Sequence, residues 1–584
     1  MIRLKERELV IVGGGLVAGL VARRLVRAGH DVLVLERGPE RAGGPEGELP
    51  TQRDELRWGS HRGLSQRENV ETVTLRHSIS EEALPMRRVQ SFLPGFGVGG
   101  AISHWNGLTW RYPATDHVLR THLETRYGKA AIAGLTVQDW GLRYEDLEPY
   151  YTQFEQLFGV SGEAGNIQGV KRPEGNPFEP FRSAPYPLPP LEASQFGVLF
   201  RAGAGKLGHH PFPVPAANAS RAYTNPDGLQ LGACQYCGHC ERFICEANAK
   251  ASAANLLFPL VRGKNNFELR ANAEVLRLVY DKAAKRVTGV IYADARTGEE
   301  FEQPASTVVL GAYVFNNTRL LLMSRIGRPY DPRTGQGVVG RNYCYQTNSG
   351  VNVFFEDQYL NPFMGAGALG VSIDDFNNDN FDHSGLGFVG GSLISAQTMN
   401  GRPIETRPLP PGTARWGTKF KEANAKWYLR AANISCQGSS YAQRGNYLDL
   451  DPDYRDAWGR PLLRMTFDFP ENDQKMSEYV TGKAAEIAKS MGATIANPAP
   501  RRSPYDIRVY QSTHNTGGTI MGANPATSVV SPHLQSWDAG NLFVCGASTY
   551  PQNAGYNPTG VVGALGLRLG DDLVNYLQRP RRLG

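Results

Sequence analysis

Cysteine is scarce in this chain: seven among 584 residues cannot staple a disulfide scaffold. No apolar run reaches the roughly 18 residues that a membrane-spanning helix needs, so any association with a bilayer has to come through partners. Charge of one sign is not in excess either. The 62 Lys and Arg residues face 56 Asp and Glu, leaving +6 with no block of basic residues, which argues against nucleic acid as a partner. Gly (66) and Pro (38) stay below the roughly 25–30% of composition that marks low-complexity chains, and no internal repeat is visible. What is present is 41% hydrophobic residues, spread over a length that at about 150 residues per domain predicts two to four domains.

The amino terminus imitates a secretory signal, with a basic start and an apolar stretch from Leu9 to Ala22, but its glycines point elsewhere. Glu8 to Val12 reads as a short buried strand, Gly13-Gly14-Gly15 breaks it, and LVAGLVARRLVRA follows with helical periodicity up to Gly29. A second strand is expected over Asp31 to Leu35. Gly13, Gly15 and Ala18 then spell G-x-G-x-x-A, and Glu36 falls 21 residues beyond Gly15 at the end of the second strand. In such a βαβ unit the first glycine permits the turn, the second admits the pyrophosphate, and Ala18 keeps the helix close to the strand. The acid accepts from the adenosine ribose. The spacing predicts a dinucleotide without choosing between NAD and FAD.

Residues 40 to 95 are polar and irregular, and 171 to 192 and 401 to 412 are proline-rich connections. From 267 to 310 three runs alternate as strands and feed a helix beginning at Asn316. Between 345 and 500, strand-like runs such as GVNVFF and LLRMTFDF, with one helix near Asp473 to Met491, are assigned to a separate substrate-facing sheet.

Four of the seven cysteines crowd into one loop: Cys234, Cys237, Cys240 and Cys245, spaced C-x2-C-x2-C-x4-C. Thiolates at three-residue intervals suit a compact iron–sulfur cluster. Structural zinc is the alternative, although Cys₄ zinc sites more often pair two distant C-x2-C knuckles; a redox disulfide or inert thiols are a third. His239 reads as a solvated loop residue, and Cys344, Cys436 and Cys545 as small buried hydrophobes.

The amino-terminal glycine motif, GVGGAISHWNGLTWRY at 97 to 112, and the block from Thr513 (THNTGGTIMGANP through NLFVCGAS to NAGYNPTGVVGALG) together resemble the glucose-methanol-choline oxidoreductase family over nearly the whole chain. In pattern they are similar to the flavoprotein subunits of gluconate 2-dehydrogenase-like enzymes. The resemblance implies an α/β (α+β) fold with a Rossmann-like FAD-binding domain assembled from 1–45, 90–150, 225–343 and 505–584. It places an iron–sulfur insertion at 230–250, a lid over 46–89, and a substrate domain with a large, mostly antiparallel sheet from 151–224 and 344–504. It also implies FAD as the dinucleotide. His514 would be the base that takes the hydroxyl proton while hydride leaves carbon for the flavin, with Asn557 holding the substrate oxygen. Gly97, Gly99 and Gly100 would let backbone lie close to the cofactor. His104 stands where the similar pyranose 2-oxidase motif joins flavin covalently, with Ser103 and Asn106 lining the ring. Gly546 sits where many members carry an acid, and Ala547 beside it is a further candidate for contact with the cofactor. Trp105 and Trp110 are expected in the core.

By the same resemblance the cluster is [3Fe-4S], and the chain is a dehydrogenase oxidising a secondary hydroxyl of a sugar, aldonate or glycoside to a ketone. Electrons would pass through the cluster to a cytochrome. The implied partners are a small subunit with a twin-arginine signal and a cytochrome c subunit. Co-export to the periplasm is then expected, a cytoplasmic location being the alternative. Rival readings are an oxygen-using sugar oxidase similar to pyranose 2-oxidase, a glucoside 3-dehydrogenase, and a zinc-stabilised nucleotide-binding module without activity. Arg444 is a candidate partner for a substrate carboxylate, although a fold-stabilising arginine is the commoner case.

Overall fold

The computed structural model describes residues 1–40, 72–87, 92–241, 244–362, 364–398 and 408–583. Residues 9–12 of strand Arg7–Val12, and the whole of Val32–Leu35, are continuous apolar runs, as strands covered on both faces must be. They join Phe267–Arg270, the second half of Glu300–Leu310 and Leu542–Val544 in a parallel sheet. The first half of Glu300–Leu310 extends that sheet by pairing antiparallel with Arg286–Asp294, which pairs in turn with Ala273–Asp281. Helix Leu16–Arg27 follows the first glycine loop and packs against the carboxy-terminal helix Thr559–Gln578, so the two ends of the chain share one core. Leu9, Val10, Ile11, Leu20 and Leu565 in that core are completely buried; each such side chain contributes about 1.5–3 kcal/mol.

A second sheet is antiparallel throughout, in the order Ile495–Ala499, Thr347–Phe354, Ala431–Gly438, Ser392–Gln397, Gly370–Ile373 and Phe212–Pro213. Alternation along a strand sends successive side chains to opposite faces. Ile434 and Cys436 enter a core with Met476, Val480 and Ile487 of helix Glu471–Ser490, whereas Asn433, Ser435 and Gln437 face a large cavity. GVNVFF thus belongs to a sheet separate from the one at the nucleotide end, and this sheet lines the cavity. LLRMTFDF, expected in the same sheet, does not belong to it, because strand Pro461–Thr466 pairs with Tyr447–Arg455 and, in parallel, with Val73–Arg76 in a different four-stranded sheet. Its alternation announced a strand, while the partner that claims it lies far upstream. Of the segment 46–89 read as a lid, residues 46–71 and 88–89 lie outside the described residues, and the rest supplies Val73–Arg76 and Leu84–Met86 to that sheet.

The two glycine-rich loops meet directly. Gly99 donates its backbone N–H to the Gly14 carbonyl at 2.8 Å. Gly100 has φ +61°, and a Cβ there would stand 2.9 Å from the Cα of Gly15. Backbone this close leaves no room for a side chain, and left-handed backbone costs a residue with a Cβ about 1–2 kcal/mol more. Replacing Gly100 by Val is therefore expected to part the loops and yield folded protein that retains no flavin. Flavin fluorescence released on denaturation, with far-ultraviolet dichroism as the control for folding, checks this.

Candidate active site

A cavity of about 1080 Å³ runs between the two sheets. Gly13, Gly15 and Glu36 line it, as do Gly100, His104, Asn106, Gly546 and Ala547, and so do His514 and Asn557. The head and tail of the polypeptide thus face one space. Four other residues singled out in the sequence stand behind its wall. Ala18 is buried in the first helix, Gly97 and Gly99 support the loops, and the Ser103 hydroxyl is buried with no hydrogen-bond partner among the described residues.

The Glu36 carboxylate accepts from the backbone N–H groups of Gly14 (2.7 Å), Gly38 (2.8 Å) and Gly97 (3.3 Å). It ties the glycine loops together in addition to facing the cavity. Burial pushes its carboxyl up, and the three donors oppose that.

His514 is placed by its backbone and its ring. Its carbonyl accepts from the Gln346 N–H at 3.1 Å and from Asn553 Nδ2 at 2.8 Å. Its Nδ1 bonds Gln346 Oε1. Gln346 is wholly buried and spends Nε2 on the carbonyls of Ala554 (3.1 Å) and Tyr556 (3.0 Å), so its amide oxygen must face the imidazole. An oxygen there requires hydrogen on Nδ1, which leaves the lone pair on Nε2. Asn557 Nδ2 donates to that lone pair at 2.9 Å, and Asn557 Oδ1 is buried with no hydrogen bond among the described residues. Burial lowers the His514 pKa to about 3, so the ring is neutral at ordinary pH. Next to Asn557, Tyr556 stacks on Trp110 with ring centroids 4.8 Å apart and donates its hydroxyl to Asp374, which anchors the segment carrying the asparagine. Burial pushes the Asp374 carboxyl up to about 6.

The four clustered cysteines are all free thiols off the cavity wall, although Tyr236 and Glu241 of the same loop line it. Asn218 Nδ2 donates to Cys240 Sγ at 3.3 Å, and the Ala249 N–H to Cys245 Sγ at 3.4 Å. Buried Lys250 donates through Nζ to the carbonyls of Trp105 and Cys240, joining the cysteine loop to the segment that carries His104. Burial pushes the Cys234 thiol up to about 12. The donor chemistry, four soft sulfurs with N–H···S support, fits an iron–sulfur cluster. Among the described residues, however, no three His, Cys, Asp or Glu groups are gathered closely enough to hold a metal ion. Trp105 donates to the Ala251 carbonyl at 2.8 Å, and Cys344, Cys436 and Cys545 are buried, as expected. Arg444 is exposed and bonds the carbonyls of Pro332 and Arg333, away from the cavity. Sequence reasoning missed Gln346, Lys250 and the cavity-lining Arg501; no motif or periodicity marks them, since each acts through a partner distant in the chain.

Two models described as GMC oxidoreductase match residues 218–348 and 442–566. The chain is 44% identical to the gluconate 2-dehydrogenase flavoprotein of Pantoea cypripedii, covering 96% of this chain and 92% of that one. It is 27% identical to the fructose dehydrogenase large subunit of Gluconobacter japonicus, over 98% of each. Among solved structures, pyridoxine 4-oxidase from Mesorbium loti superposes with a TM-score of 0.61 at 16% identity, covering 97% of this chain and 99% of that one, a likeness of fold. With two family models and a full-length relative in agreement, the chain belongs to the glucose-methanol-choline oxidoreductase family, enzymes that act on alcohol groups.

Proposed function

We propose that this protein is an FAD-dependent dehydrogenase that oxidises a secondary hydroxyl of a sugar, aldonate or glycoside. The observation that carries the reading is the Nε2 lone pair of neutral His514, held beside Asn557 on the wall of the cavity that the glycine loops also line. The glycine loops, Glu36, His104 and Gly546 fit a bound dinucleotide, and FAD supplies the hydride acceptor when bound. The protein's own part is to position and to take a proton. A substrate hydroxyl entering between the two side chains accepts from Asn557 Nδ2 and donates to His514 Nε2, displacing their mutual hydrogen bond. Gln346 keeps the proton on Nδ1 and so leaves Nε2 ready to accept. Anaerobic bleaching of the flavin band by gluconate, glucose and a glucoside, compared one against another, tests the reading. A flavin that none of them reduces would overturn it.

The finer proposal is that Cys234, Cys237, Cys240 and Cys245 close around an iron–sulfur cluster that passes electrons singly to a cytochrome. In support, all four are free thiols of one loop, two already accept N–H donors, and Lys250 ties the loop to Trp105. One relative is named as a large subunit, which supports an assembly with at least one further subunit; a small twin-arginine-signal subunit, a cytochrome c subunit and joint export to the periplasm are proposed on the family resemblance alone. Stoichiometric peroxide in air, with no iron in the protein, would favour the oxidase reading instead.

The tautomer argument makes a prediction. Replacing Gln346 by Glu sets a carboxylate against the Nδ1–H, which favours the charged imidazolium and raises the His514 pKa from its burial-lowered position. A protonated Nε2 cannot accept, so activity is lost as pH falls through the raised value. The expected result is a Gln346→Glu enzyme slowed at every pH by loss of the two Nε2 hydrogen bonds to the carbonyls of Ala554 and Tyr556, and slowed about tenfold or more further between pH 8 and pH 5, where the wild type keeps its rate. Stopped-flow flavin reduction across pH measures it.

A further inference from the structure

The cavity wall carries four cations among the described residues, and three are accounted for. Arg319 and Arg460 are both ion-paired with Asp456, and Arg37 follows Glu36 beside the glycine loops. The fourth, Arg501, stands at the antiparallel sheet, just after strand Ile495–Ala499. Its backbone N–H donates to Ser477 Oγ at 2.8 Å and its Nε to the Asn348 carbonyl. Its two terminal Nη groups make no hydrogen bond to a described residue. The charged and polar groups that face it are the phenols of Tyr345 and Tyr505, and no carboxylate among the described residues lies in ion-pair range. Burying a guanidinium without an anion is costly, and burial lowers its pKa accordingly. A fixed, planar, two-pronged donor on a cavity wall matches a carboxylate in shape as well as in charge.

Its position relative to His514 sets which hydroxyl would react. Gln346 holds the imidazole, and Asn348, two residues further along the chain in strand Thr347–Phe354, holds Arg501. Asn348 is itself fixed by donating Nδ2 to the Gln511 carbonyl at 2.6 Å, three residues before His514. The imidazole and the guanidinium are thus anchored to neighbouring points of one segment and line the same cavity. In an α-hydroxy acid the carboxylate and the hydroxyl on the adjacent carbon are likewise neighbours.

We propose that Arg501 is the carboxylate anchor of the substrate site, selecting an aldonate over a neutral sugar and presenting the hydroxyl next to the carboxylate to His514. The assignment rests on the reading of this cavity as the alcohol-oxidising site. Asn433, Ser435 and Gln437 on the neighbouring strand face the rest of the polyol.

The test uses flavin-loaded enzyme with gluconate and with gluconamide, which keeps every hydroxyl and loses the charge. Wild type should prefer gluconate. Arg501→Met should lose about 10²- to 10³-fold in kcat/KM for gluconate, the loss typical of truncating one member of a buried charge pair, with little change for gluconamide. Arg501→Lys should recover part of the preference. Titration with 2-deoxygluconate, which has no hydroxyl to oxidise beside its carboxylate, should perturb the visible flavin band of wild type and of Arg501→Lys but not of Arg501→Met. If Arg501→Met does not retain flavin, the lysine variant carries the comparison. Unchanged gluconate kinetics, or equal losses on gluconate and gluconamide, overturns the assignment. Wild type reduced by neutral sugars and indifferent to gluconate overturns it while leaving alcohol oxidation standing; a flavin that no polyol reduces ends both.

Discussion

Replacing His514 by Ala slows reduction of the flavin by substrate about 10²- to 10⁴-fold, the range a positioned general base contributes, and leaves the cofactor bound. An alcohol is a very weak acid, so the step depends on an acceptor within hydrogen-bond reach of the O–H. Of the two groups that would touch the hydroxyl, only the His514 Nε2 lone pair can receive a proton, since Asn557 presents an amide N–H there. Cofactor retention is expected because the glycine loops and Glu36 that frame the nucleotide end make no hydrogen bond to the imidazole. The substitution carries a stability cost: Gln346 Oε1, wholly buried, loses its donor, which costs about 1–3 kcal/mol. Anaerobic stopped-flow bleaching, run beside a thermal melt, separates the two effects. Near-wild-type bleaching would remove His514 from the mechanism.

On the proposed iron–sulfur reading, replacing Cys237 by Ser is expected to abolish electron delivery to a one-electron carrier while sparing reduction of the flavin. A serine hydroxyl gives up its proton far less readily than a thiol and is a poor ligand for iron, so a cluster that uses Cys237 would lose a ligand and open. Cys237 lies off the cavity wall, on a bridge to Gly365, so the substitution leaves His514 and Asn557 untouched. The measurements are iron content, a paramagnetic-resonance spectrum and reduction of a cytochrome, each set against substrate bleaching of the flavin. Wild-type protein free of iron would end the cluster reading, and with it the explanation of the spacing.

Much of the nucleotide end was legible because its determinants are local. Positive φ at Gly13, the apolar runs of two covered strands and the helical periodicity between them are written within 30 consecutive residues, and the strands appear within a residue or so of where the pattern put them. The contact of Gly100 with Gly15 was not legible. Each loop reads as glycine-rich alone, and nothing in either says that the other supplies the backbone it must avoid. Strand Pro461–Thr466 shows the same limit, since alternation gives a strand two faces but names no neighbour.

At the catalytic end, the motif around His514 and Asn557 named the two side chains but not their roles as donor and acceptor. Those come from Gln346, 168 residues away, whose amide is oriented by two backbone carbonyls. Arg444 and Arg501 are equal as letters; one spends its charge on surface carbonyls and the other lines the cavity. The amino-acid order alone therefore determined the family, the dinucleotide turn and the residue types able to do the chemistry, because these depend on steric and chemical properties of short segments. Which nitrogen of His514 carries the proton, which arginine faces the substrate and which loops touch were decided only by the tertiary structure, because a hydrogen bond or a burial cost exists only once distant segments share the same few ångströms.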